Sequence, residues 1–133
     1  FLQTLRLSYS YIDSYKKSGD LISYYVMDYL KHKLTLSTDV KIYKSLGFNL
    51  TLLLQDRNGS YTDFATGGEK SYAVFLVGDA KVFWRPLNFD IFVACNNIFN
   101  TRYYDFGNIQ MPGAWVTGGI RYLFNFKTKN HGN

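Results

Sequence analysis

One cysteine, two prolines, two histidines and the absence of any long apolar run set the first limits on this 133-residue chain. With Cys95 alone, an internal disulfide and a cysteine metal cluster are both excluded. Its place inside an apolar alternation suits a small packed side chain better than a reactive thiol. His32 falls on an apolar parity and His131 in the C-terminal tail, so neither joins a metal or nucleophile constellation. No enzyme and no cofactor are therefore expected. No window approaches the roughly 18 consecutive apolar residues of a membrane helix, and the mean hydropathy is −0.17. That excludes a helical membrane protein but not a membrane barrel, whose strands need only about 9–11 residues with apolar side chains at alternate positions.

Charge of one sign is not concentrated either. The net charge is +5, yet the basic residues are scattered, densest at Lys16-Lys17 and Lys31 with Lys33, and no helix or nucleic-acid module gathers them. They read as solvated loop and lumen charges, and no nucleic-acid partner is expected. The chain opens at Phe1 without a basic and apolar signal segment, so an upstream portion is expected.

What is abundant is β-forming. Hydrophobic residues make up 47% and aromatic residues 19%, with 12 tyrosines and 11 phenylalanines, a strand-rich mixture that places the chain in the all-β class. A period of two runs through Leu5, Leu7, Tyr9 and Tyr11, and again through His32, Leu34, Leu36, Val40 and Ile42 against Lys33, Thr35, Ser37, Asp39 and Lys41. It continues in Phe48, Leu50, Leu52 and Leu54, then in Leu76, Ala80, Val82 and Trp84 within a strand expected over 72–84. Phe89, Ile91, Val93 and Cys95 carry a fifth strand, and Val116, Ile120, Tyr122, Phe124 and Phe126 a last one expected over 114–126. This predicts an antiparallel up-and-down meander of about six strands over 1–126, followed by a flexible tail over 127–133.

Between the strands, residues 13–28, 56–71 and 100–113 read as long loops, while Ser45-Leu46-Gly47 and Pro86-Leu87-Asn88 read as tight turns. Gly59 and Gly67-Gly68 are turn glycines, since no phosphate-cradling spacing accompanies them. Long and short connections alternate, as in a membrane barrel with tight turns at one end and elaborate loops at the other. One parity is apolar on every strand and the other polar or charged, so a single face calls for an apolar medium. In a soluble barrel or sandwich that face points inward; in an outer-membrane barrel it meets lipid around a polar lumen. Tyr24, Tyr25 and Tyr29, Trp84, and the terminal Tyr122, Phe124 and Phe126 lie where interfacial girdles belong.

Six strands are too few to close a membrane barrel, which starts at about eight, and the bilayer offers no partner for raw strand edges. The rest of such a barrel must come from elsewhere. An isolated piece is expected to self-associate or to cover its edges and apolar face with detergent.

The segment Asn96-Asn97-Ile98-Phe99-Asn100-Thr101-Arg102-Tyr103-Tyr104-Asp105, with Gly107-Asn108, Pro112-Gly113 and Gly119-Ile120-Arg121-Tyr122-Leu123-Phe124, closely resembles the C-terminus of TonB-dependent outer-membrane receptors. Residues 28–34 and 55–59 resemble the branch typical of Bacteroidetes, which includes cobalamin- and siderophore-receptor-like members. The resemblance implies the C-terminal part, strands 17 to 22, of a 22-stranded transmembrane barrel plugged by an N-terminal domain. It further implies a Gram-negative outer-membrane location, uptake of a scarce nutrient such as siderophore-iron or cobalamin, and a TonB complex that acts through the missing N-terminal part. Alone, the chain would transport nothing. Ile120, Tyr122, Phe124 and Phe126 resemble the terminal signal read by the barrel-assembly machinery, although such receptors usually stop at the final aromatic and this chain continues through 127–133. Loop candidates for ligand contact are Asp56, Arg57, Tyr103 and Tyr104. A salt bridge or loop brace competes for the first two, and a brace for the final hairpin competes for Tyr103, Tyr104 and Asp105. A small soluble β-barrel binding module and a porin-like structural barrel remain alternatives.

Overall fold

Alternating side chains in a pleated backbone leave each strand with two faces, and six such strands align those faces into one sheet. The computed structural model describes residues 2–13 and 29–124. Its main element is a six-stranded antiparallel meander, β1 (Leu2–Tyr11), β2 (Leu30–Tyr43), β3 (Leu46–Arg57), β6 (Phe75–Trp84), β7 (Phe89–Asn96) and β10 (Trp115–Tyr122), in that spatial order. Two short hairpins stand apart from it: β4 (Ser60–Thr62) with β5 (Glu69–Ser71), and β8 (Tyr104–Phe106) with β9 (Ile109–Gln110). The fold is all-β, as the two-residue alternation predicts.

Register carries the apolar parity unbroken across the sheet. Leu7 faces Leu36, which faces Leu52; Val40 faces Phe48, which faces Val82, which faces Val93; Ile91 faces Ile120. On the reverse, Arg6 faces Ser37, Asp39 faces Asn49, which faces Lys81, and Asp90 faces Arg121. Polar pairs there satisfy one another: Asn49 Nδ2 donates to Asp39 Oδ1 at 2.7 Å, and the Ser37 and Thr51 hydroxyls meet at 3.3 Å. Glycines on this face make room for aromatic rings. Phe83 covers its cross-strand partner Gly47, and a Cβ at Gly119 would stand 2.7 Å from the ring of its partner Phe92.

Apart from Ile98 and Phe99, which lie against Gly78 at one end, nothing in the described chain covers the apolar face. Leu54 and Val82, on central strands, are 41% and 44% exposed, and Leu7 and Ile120, toward the margins, 69% and 73%. The buried apolar side chains among the described residues are Tyr72, Phe75 and Val77.

Several boundaries differ from the sequence expectation. The strand expected over 72–84 begins at Phe75, because Tyr72 turns inward to meet the loops. The first tight turn is Lys44-Ser45; Leu46 and Gly47 already pair with Trp84 and Phe83. A bulge at Ile42, just before that turn, lets Tyr43, rather than Ile42, continue the apolar face beside Leu46. Residues 56–71 are more ordered than a plain loop, since they hold the β4–β5 hairpin. The last strand is assigned over Trp115–Tyr122. Phe126, the tail 127–133, His131, Tyr24, Tyr25, Lys16, Lys17 and most of the loop expected over 13–28 lie outside the described residues.

The two ends of the sheet are unlike. The strand directions put connections 12–29, 58–74 and 97–114 at one end and the turns 44–45 and 85–88 at the other. That agrees with the alternation of long and short connections in the sequence.

Candidate functional site at the long-loop end

The tightest side-chain packing lies where β3, β6 and β7 run out into the long loops, on the polar side of the sheet. Asn97 anchors it. Just past β7 it adopts φ 49°, a left-handed conformation that Asn tolerates better than most residues. Its side chain is buried and fully used: Nδ2 donates to the carbonyls of Thr101 (2.8 Å) and Pro112 (3.1 Å), and Oδ1 accepts the Thr101 N–H at 2.9 Å. Its own N–H donates to Asp79 Oδ1 at 2.9 Å. Asn100, at φ 50°, repeats the device by accepting the Ala114 N–H at 2.9 Å. Two asparagines thus clamp both stems of loop 97–114. The residues between them also cover the sheet, since a Cβ on Gly78 would meet Phe99 and Ile98.

Loop 97–114 then folds back over the polar face. Tyr103 stacks on Phe75 with ring centres 4.3 Å apart. Asp105 accepts from Gln55 Nε2 at 2.7 Å and from Arg57 Nη2 at 3.1 Å, which ties this loop to the end of β3. The β4–β5 hairpin closes the cluster. Tyr61 lies 5.2 Å from Tyr72 and 5.1 Å from Tyr104, and the Tyr72 hydroxyl accepts the Gly107 N–H at 2.8 Å. Arg57 sits 5.7 Å over the Tyr72 ring. Burial, with Asp105 and Asp79 nearby, raises the Tyr103 pKa above its usual value, so the phenol stays neutral through the ordinary pH range.

At the tip of the β4–β5 hairpin, Asp63 organises the turn by accepting from the Ala65 N–H and the Thr66 hydroxyl, each at 3.0 Å, and pairs with Lys70. The Lys70 ammonium, helped by those two donors, lowers the Asp63 pKa, and Asp63 in turn raises that of Lys70.

Of the four loop candidates, the structure brings Arg57, Tyr103 and Tyr104 together on the polar side and leaves Asp56 on the other face. There Asp56 opposes His32, which hydrogen-bonds to the Tyr9 hydroxyl at 2.8 Å and lies 4.9 Å from the Tyr11 ring. Arg57 pairs with Asp105, so the brace expected to compete with ligand contact is what its geometry describes. The terminal residues gather at the opposite end. Ile120 faces Ile91, Tyr122 meets Phe89 edge-on at 4.8 Å, and Phe124 meets Tyr122 at 4.6 Å, all on edge strand β10 or just past it.

Gln55, Tyr61, Tyr72, Asp79 and Asn97 belong to the cluster without having been singled out as site residues from the sequence. Only Asn97 carried a local signal, an Asn-x-x-Asn run directly after a strand. Among the described residues no group of three His, Cys, Asp or Glu side chains is placed to hold a metal ion. Chemically the cluster holds two loops as one unit over the polar face. In comparisons with protein-family models, curated proteins and solved structures, the chain matches none.

Proposed function

We propose that this chain forms consecutive strands of an outer-membrane β-barrel, the C-terminal part of a TonB-dependent receptor that imports a scarce nutrient across a Gram-negative outer membrane. The observation that carries the reading is the apolar face, continuous over six strands and uncovered except where Ile98 and Phe99 meet Gly78, set against a polar reverse whose loops all leave from one end. Each Leu, Val, Ile or Phe on that face is worth about 1.5–3 kcal/mol once removed from water, and soluble monomers rarely expose an apolar patch larger than a few hundred Å². Hydrocarbon supplies the missing cover. Strand length supports this: β2 with 14 residues, β3 with 12, and β1 and β6 with 10 each reach the roughly 9–11 that a tilted span requires. β7 and β10 have 8 each, and the Ile98 and Leu123 N–H groups extend their pairing to Gly78 and Asn88.

Assignment to this receptor type rather than to a porin-like barrel rests on the resemblance over residues 96–124. The braced loops then cover the lumen at the cell surface, and the remaining strands and the plug complete the barrel. The TonB complex energises it through the N-terminal part, and the assembly machinery reads Ile120, Tyr122, Phe124 and Phe126. The role is binding and transport, without catalysis. A small soluble barrel would instead need its apolar face turned inward.

Epitope insertion in the parent gene product tests this. A tag between Gly67 and Gly68 should be labelled on intact cells, and a tag between Leu87 and Asn88 only after the outer membrane is permeabilised. Equal labelling of both on intact cells, or recovery of the product in the soluble fraction, contradicts the proposal. Coding sequence upstream of Phe1 should specify a plug domain.

A further inference from the structure

At the short-turn end, the Lys44-Ser45 turn separates two hollows. On the apolar face, Tyr43, Leu46 and Trp84 wall an open notch of about 400 Å³ with Lys44 and Ser45 at its rim. On the polar face, a cavity of about 320 Å³ is lined by Lys41, Lys44 and Arg85 above Phe83 and Gly47. Lys44 borders both, and its Nζ lies 5.1 Å from the centre of the Tyr43 ring, over one wall of the notch.

We propose that this notch is a binding site for one anionic glycerophospholipid, with its acyl chain along Leu46 and Trp84 and its phosphodiester on Lys44 and the Ser45 hydroxyl. The inference rests on the membrane reading above and adds a ligand to it. Three observations carry it. First, the walls are apolar and aromatic on the lipid-directed parity, while the rim is cationic, which matches the two halves of such a lipid. Second, the charge nearby is one-sided: Lys41, Lys44 and Arg85 cluster here, and Asp90, 3.4 Å from Arg85, neutralises only part of it. Third, Lys44 is held at φ 39°, a conformation that favours Gly or Asn, so a lysine occupies a turn position for which it is poorly suited. A long cationic side chain there serves the rim at a cost to the turn. The ligand is a lipid rather than free phosphate because the apolar notch, and not the polar cavity alone, adjoins the ammonium.

The test uses the complete barrel, with Trp115 and any tryptophan outside these 133 residues replaced by Phe so that Trp84 is the single indole, incorporated into vesicles of brominated phosphatidylglycerol or brominated phosphatidylcholine diluted in unbrominated lipid. Quenching of Trp84 should show about fivefold preference for phosphatidylglycerol, the worth of one lysine near an anionic lipid surface. Lys44→Gln should abolish the preference, and so should Lys44→Gly, which suits the turn and separates lost charge from misfolding. Lys31→Gln, at the other end, should leave it intact. Equal quenching by both lipids overturns the site while leaving the membrane reading standing. Absence of quenching by either lipid overturns both. Loss of the preference on adding millimolar inorganic phosphate at constant ionic strength overturns the lipid assignment in favour of a free anion.

Discussion

The long-loop end of the sheet supplies its own cover, and the short-turn end does not. At the first, Gln55, Tyr72, Phe75, Val77 and Asn97 are buried beneath loops whose polar groups are paired with one another. At the second, Tyr43, Trp84, Phe89 and Tyr122 stand exposed around strained turns, with Lys44 and Leu87 at positive φ and Leu87 fully exposed. The difference teaches where the chain's stability is internal and where it depends on surroundings. A loop that must keep its shape in water needs satisfied hydrogen bonds and packed rings, whereas a strand face that meets hydrocarbon needs only apolar side chains and a closed backbone ladder.

That contrast can be broken from either side. The largest effect is expected from Asn97→Ala, which strands the Thr101 N–H and the Thr101 and Pro112 carbonyls and puts Ala at positive φ; a loss of about 3 kcal/mol follows from the usual cost of unsatisfied buried groups. Limited proteolysis should then cut within 97–114 while Trp84 emission, read in a Trp115→Phe background, stays unchanged. A simultaneous shift in Trp84 would mean the two ends are not independent. Asp105→Ala should cost about 2 kcal/mol by leaving Gln55 and Arg57 without this acceptor, discounted because the carboxylate is partly exposed. Amide exchange should rise in loop 97–114 and at the end of β3 together, and a rise in one alone would deny that Asp105 joins them.

Within the sheet, Gly119→Ala should destabilise by about 1–2 kcal/mol, since the Phe92 ring must move. Unfolding in denaturant measures it. Thr38→Val should act oppositely. The Thr38 hydroxyl lies on the apolar parity, buried and without a hydrogen-bond partner, so its removal should stabilise by about 1 kcal/mol in a membrane-like medium. A loss of stability instead would indicate a polar partner on that face.

The pH responses should separate within the loop end itself. Because the Tyr103 pKa is raised in the folded state, its stacking on Phe75 is fully supported below about pH 10 and weakens as pH climbs through the raised value, which ultraviolet titration of tyrosine can follow. Because the Asp63 pKa is lowered, the β4–β5 turn is supported above pH 3.8 and loosens only as pH falls through a lower value.

The strands were legible because a period of two survives any tertiary arrangement. β7 contains the whole of its expected alternation, Phe89 to Cys95, and β1, β2 and β3 extend theirs by a few residues. Misplaced limits have physical causes. Tyr72 shares the strand parity only as far as the chain is concerned; in the fold Tyr61 and Gly107 claim it for the loops. Leu46-Gly47 resembles a turn, yet Phe83 and Trp84 across the ladder hold both residues in strand. The loop cluster was less legible. Gln55 and Asp105 are 50 residues apart, and nothing local to either names the other. Arg57, Tyr103 and Tyr104 were reached through residue type, and Asp56 was grouped with them although strand alternation turns it to the opposite face.

The most direct measurement of the central claim is a single-cysteine scan across 33–37 and 80–83 in the proposed barrel, with Cys95→Ala as background, read by a lipid-phase probe and a water-soluble thiol reagent. Positions 34, 36, 80 and 82 should report hydrocarbon, and positions 33, 35, 37, 81 and 83 should react from water. The reverse parity, or aqueous reactivity at every position, would contradict the account.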